Sequence, residues 1–125
     1  MGVCRWLRPA QRRHRSRPPA LRPQWTRAKG FDTFCPLGRT TPAQEVDPAA
    51  LEVICRVNGE QRQRGGADQM AFPIPVLIEY ITSVMTLEAG DVIATGTPAG
   101  VGPLRSGDVV EVEIPGVGTL SNPVQ

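Results

Sequence analysis

The sequence predicts an α+β domain, mostly β, with one main helix. Three observations carry that expectation. One alternating, β-branched segment runs straight into Asn-Gly; only one segment has helical periodicity; and the later part of the chain is divided by Gly, Pro and Asp into short apolar runs.

Each element follows in turn. Residues 1–23 combine Arg, Pro and Gln without a period of 2 or 3.6, so they present no continuous apolar face and are expected to be a disordered leader. The domain is then expected over 24–125. Leu51 to Val57 alternates, Asn58-Gly59 offers the pair that a type I′ turn prefers, and Glu60 to Arg64 returns, which makes a hairpin. Pro75 suits the first turn of a helix over Val76 to Met85, with Leu77, Ile78, Ile81 and Met85 on one face. Ala89-Gly90-Asp91 ends that region in a turn, and Val92-Ile93-Ala94 is expected to start a short strand leading into a Gly/Thr/Pro loop. Ser106-Gly107-Asp108 turns into a strand over Val109 to Ile114, and Gly116 to Gly118 leads to a last strand at Thr119-Leu120.

Charge divides the chain. Its 125 residues sum to +2, but residues 1–28 hold eight arginines and no carboxylate, about +8, and the remainder is −6. No apolar run approaches the ~20 residues that cross a bilayer, which argues against a membrane protein. The leader lacks the apolar run of a secretory signal, and its Pro pairs and missing amphipathic stripe weigh against a transit peptide, so a cytoplasmic location is expected. Cys4, Cys35 and Cys55 lack metal-site spacing and are expected as free thiols, Cys35 and Cys55 semi-buried. The leader's arginines invite nonspecific phosphate contacts, but no motif supports specific nucleic-acid binding.

Several motifs admit two readings. Thr95 to Gly102, TGTPAGVG, lacks the Gly-Lys-Ser/Thr end of a P-loop, and no helical pattern follows it. It is either a structural turn, the stronger reading on motif grounds, or a loop whose glycines admit a ligand and whose Thr95 and Thr97 hydroxyls bind it. Glu111-Val-Glu113 puts two carboxylates on one strand face, a chelating geometry, yet the alternation with Val110, Val112 and Ile114 reads more simply as a solvated face. Lys29, the single lysine, lies near Trp25 and Phe31 and either snorkels or acts on a ligand. His14 has no partner at metal-site spacing.

Taken together, KGFDTFCPLG at 29–38, VNGEQRQ at 57–63, the stretch from Met70 through MTLEAGDVIATGTPAGVGPL, and GDVVEVEI to GVGTLSNPV closely resemble the fumarylacetoacetate hydrolase family. The resemblance covers 24–125 nearly without a gap. It implies a mixed β-sandwich roll, usually a homodimer, with Mg²⁺, Mn²⁺ or Ca²⁺ as cofactor. It also implies a small carboxylic acid as substrate: a β-diketo acid or acylpyruvate cleaved at a C–C bond, or a related acid of aromatic catabolism isomerised or decarboxylated. It makes Lys29 the catalytic lysine, which also neighbours the metal, Thr33 the threonine next to that metal, and Thr97 with Gly96 the substrate-binding loop. The metal would polarise an oxo or enolate oxygen, and the ammonium would stabilise the anion released.

The departures are specific. The family's metal carboxylates, a Glu-x-Glu pair and an Asp within Asn-Asp-Val-Thr-Ala-Arg-Asp, precede the lysine, as does its His/Glu base pair. No acid precedes Lys29 here, His14 sits in no matching motif, and Arg39 replaces the usual proline after Leu-Gly. Weak metal binding by a truncated, inactive form is therefore expected. A reading-frame shift offers a cause. Arg12 to Pro19 written as CGA CGT CAC CGC TCG CGA CCT CCA, followed by the G of Ala20, reads one nucleotide later as Asp-Val-Thr-Ala-Arg-Asp-Leu-Gln. The first Asp falls at codon 12, seventeen before Lys29. The frame would be restored between about Ala20 and Gln24.

Overall fold

Alternation of apolar and polar residues builds the principal sheet. The computed structural model describes Trp6–Leu7 and residues 32–125. Strands β3 (Glu52–Val57), β4 (Glu60–Gly66), β5 (Val109–Ile114) and β6 (Gly118–Pro123) form an antiparallel sheet in the order β4-β3-β5-β6. The predicted hairpin and both late strands are present, with β6 longer than the two residues expected. A separate pair joins β1 (Trp6–Leu7) to β2 (Thr41–Pro42). The Thr41 hydroxyl of β2, itself buried, donates to the Val117 carbonyl at 3.4 Å and so ties this pair to the β5–β6 turn.

Register distributes the side chains between two faces, because residues directly opposed across an antiparallel pair point the same way. Val110 faces Val57 and Val112 faces Cys55 and Leu120, so these residues with Val53 and Ile114 form the apolar face. Val110, Val112 and Ile114 are buried there. Glu111 and Glu113 take the opposite face with Arg56, as the half-buried-strand reading anticipates. Arg56 Nη1 lies 2.6 Å from Glu113 Oε2, and Ile54, opposite Glu113, is buried on this polar face.

At the β3–β4 turn Asn58 and Gly59 have φ of 53° and 81°, the left-handed pair a type I′ turn requires. The register then slips: Cys55 opposes Gln63 but Arg56 opposes Gln61, leaving Arg62 as the extra residue of a β-bulge.

Helix α1 spans Ile74–Thr82, starting two residues before and ending three before the expected bounds. Pro75 lies in its first turn, where a missing N–H costs nothing. The Thr82 hydroxyl donates back to the Ile78 and Glu79 carbonyls, and the Ser83 hydroxyl donates to the Tyr80 carbonyl, at the C-terminal end. Leu77, Ile78 and Ile81 are half-buried as the expected inner face, whereas Met85 is exposed beyond the end.

Two further expectations are corrected. Val92-Ile93-Ala94 forms no strand. The segment pairs with none of the four strands of the sheet, and an extended segment without a ladder partner is not a strand. Cys35 is exposed rather than semi-buried, since it lies in the bend following the 32–33 turn and on no sheet face, while Cys55 on the apolar face is half-buried as expected. Among the described residues no helix is long and apolar enough to cross a membrane.

Candidate functional site

The TGTPAGVG loop is seated on β4 at the bulge. Gln63 projects from the apolar face beside Cys55, and its Nε2 donates to Thr97 Oγ1 at 2.9 Å and to the Pro98 carbonyl at 2.7 Å, with the Ala99 carbonyl at 3.4 Å. Two glycines make the seat possible. A Cβ on Gly65 would lie 2.8 Å from Pro98 Cβ, so only a bare strand backbone lets the proline settle. A Cβ on Gly100 would overlap the carbonyl oxygen of Arg62, the bulged residue, and Gly100 also has φ of 101°. The loop is thus tethered at its middle by one side chain and two close backbone approaches.

The seat leaves the predicted binding groups outward. Gly96, with φ of 111°, and Thr97 are exposed, and a Cβ on Gly96 would meet nothing. Thr33 is exposed in the turn after Asp32 and carries φ of 67°. A β-branched residue there is a backbone outlier, the sort of strain that persists where surrounding structure enforces it. Among the described residues no hydrogen bond joins Thr33 to Gly96 or Thr97. Lys29 lies outside the described residues, as does His14.

Sequence reading did not single out Gln63, Gly65 or Gly100. The usable signal was Gly65-Gly66 inside a strand, which marks a place where another backbone comes close.

The acid pair does not make a metal centre. Arg56 occupies one of its members, and among the described residues no three His, Cys, Asp or Glu side chains converge on a common point. Residues 1–31 contain no Asp or Glu. A shallow concavity of about 430 Å³ lined by Ala49, Ala50, Leu51, Glu52, Gly66 and Asp68 contains none of the predicted site residues. Its Glu52 is held by the Arg64 guanidinium through bonds of 2.7 and 3.1 Å. Cys55, next to Gln63 in register, has its thiol pushed up by burial and is no thiolate nucleophile near neutral pH.

The family model for the C-terminal part of fumarylacetoacetate (FAA) hydrolase matches residues 7–125. A protein of Pyrococcus abyssi, itself described as uncharacterized, is 56% identical over 101 residues, spanning 80% of this chain and 45% of that protein. The crystal structure of 2-hydroxyhepta-2,4-diene-1,7-dioate isomerase from Mycobacterium marinum superposes with a TM-score of 0.74 at 52% identity, covering 80% of this chain and 39% of the other. Maleylpyruvate hydrolase from Sphingobium sp. SYK-6, in complex with manganese(II) and pyruvate, superposes with a TM-score of 0.76 at 41% identity, covering 82% and 39%. The chain therefore spans less than half the length of these relatives. A family match running from residue 7 to the C-terminus, with solved structures superposing at 52% and 41% identity, places the chain in the fumarylacetoacetate hydrolase family.

Proposed function

We propose that this chain carries the substrate-carboxylate half of a fumarylacetoacetate hydrolase family site, acting on a 2-oxo or 2-hydroxydienoic acid. The observation that carries the reading is the Gln63-tethered loop, which turns Gly96 and the Thr97 hydroxyl outward with no group among the described residues covering them. A relative that holds pyruvate supports the same substrate class. Within this reading Lys29 stabilises the anion that forms as a C–C bond breaks or an enol shifts, and Thr33 stands beside the position of the family metal. A homodimer fits the apolar residues left exposed on and after α1, including Val76, Tyr80 and Val84. Chemistry in the cytoplasm on products of aromatic catabolism fits the same substrates.

The chain alone binds the acid without turning it over, because no cluster of metal ligands stands among the described residues. A reading-frame shift across Arg12 to Pro19 would account for the missing Asp-Val-Thr-Ala-Arg-Asp peptide. Pyruvate titrated into the ¹⁵N-labelled 125-residue chain should shift the backbone amides of Gly96 and Thr97, while calorimetry with Mg²⁺ or Mn²⁺ should show no micromolar site. Absent amide shifts would remove the carboxylate reading, and a micromolar metal site would remove the inactive one. Sequencing the locus tests the frame separately, since codons for 12–19 that do not yield this peptide when shifted exclude that explanation.

A further inference from the structure

The Gln63 side chain sets the polarity of the loop as well as its position. The Pro98 carbonyl is an acceptor only, so the Gln63 atom 2.7 Å from it has to be the amino nitrogen and the amide orientation is forced. That same nitrogen lies 2.9 Å from Thr97 Oγ1, so it fills a lone pair of the hydroxyl. The Thr97 proton cannot then point back at Gln63. No acceptor for it exists among the described residues, and Thr97 is exposed. Its neighbour Gly96 has no side chain to obstruct the approach.

We infer that Gln63 is a positioning residue that presets the Thr97 hydroxyl as a donor to an ionised oxygen of the substrate, selecting a carboxylate or enolate over a group that would itself donate. The inference rests on the carboxylate reading of this loop. A hydrogen bond to a charged acceptor contributes about 1.5–3 kcal/mol, which corresponds to roughly 10- to 100-fold in affinity.

Gln63→Glu keeps the shape and reverses the polarity. Its carboxylate would accept the Thr97 proton and repel the Pro98 and Ala99 carbonyls. Gln63→Met, of similar length but without a donor, serves as a second variant should the charge unseat the loop. Pyruvate affinity is read at neutral pH from the amide shifts of Gly96 and Thr97 in wild type, Gln63→Glu, Gln63→Met, Thr97→Val and the Gln63→Glu/Thr97→Val double variant. Each single change should weaken pyruvate by about tenfold or more, and the double variant should be no weaker than Thr97→Val alone, because both changes remove the same donor. Losses that multiply, or Gln63 variants that bind like wild type, overturn the positioning role while leaving the carboxylate site intact. A wild-type chain whose amides do not respond to pyruvate overturns the site reading and this inference together.

Discussion

Two connections of the sheet are held by an amide side chain, and they use it in opposite ways. At the β3–β4 turn, Asn58 Nδ2 donates to Asp108 Oδ1 at 2.9 Å and Asn58 Oδ1 accepts from the Val109 amide at 2.8 Å. Its backbone N–H donates to the Val109 carbonyl at 2.9 Å, and Asp108 Oδ2 accepts from the Arg105 amide at 2.7 Å. Each polar atom there is answered by another from the same chain. At the TGTPAGVG loop, Gln63 gives its amino hydrogens to the loop and the Thr97 proton finds no acceptor among the described residues. The closed network belongs to a turn whose task is structural. The open one has a donor in reserve, which is what a binding loop needs.

The contrast can be broken from either side. The largest effect is expected for Gly100→Ala, whose methyl would overlap the Arg62 carbonyl at a positive φ. The loop should leave β4, with a stability loss of about 1–3 kcal/mol by urea unfolding and faster amide exchange over residues 95–102. Asn58→Ala should cost about 1–2 kcal/mol through lost hydrogen bonds and a left-handed backbone that alanine resists, while leaving exchange at residues 95–102 unchanged. If Asn58→Ala also freed the loop, the two connections would not be independent.

The smallest effect concerns pH. The Arg105 backbone amide first, then the Asn58 side chain, hold the Asp108 carboxyl below its ordinary range. A depressed value in the folded state means that this stabilisation is complete above the unfolded value near pH ~4 and fades as pH falls through the lower folded one. Asp108→Asn should therefore flatten that part of the acid limb, seen as urea midpoints that converge with wild type at low pH and differ modestly at neutral pH. A wild-type midpoint that is flat below pH ~4 would contradict the network.

The sheet was legible because its signals are local. Alternation in Leu51 to Val57 and Val109 to Ile114, and Asn58-Gly59 between strands, need no distant partner to be read. Val92 to Ala94 carries the same β-branched signal but pairs with no strand of the sheet, and a local signal does not say which segment finds a ladder partner. The loop motif was visible, but its anchor was not: Gln63 lies more than thirty residues from the atoms it holds, and no periodicity links a polar residue in a hairpin to a later Gly-rich loop. Lys29, noticed as the single lysine but given a definite role only by resemblance, falls outside the described residues, so that role rests on the likeness.

Strand β4 also forms one edge of the four-stranded sheet. An edge offers unpaired N–H and C=O groups to any other extended chain, which is a route to aggregation. Its residues Glu60 to Gly66 include no large apolar side chain, carry Glu60, Arg62 and Arg64, and are interrupted by the bulge at Arg62. A second copy approaching in extended form would have to desolvate charged side chains and meet a broken ladder. The bulge that seats the loop therefore also keeps the sheet from growing sideways into a fibre, so straightening β4 should raise the tendency to aggregate even where folding is unharmed.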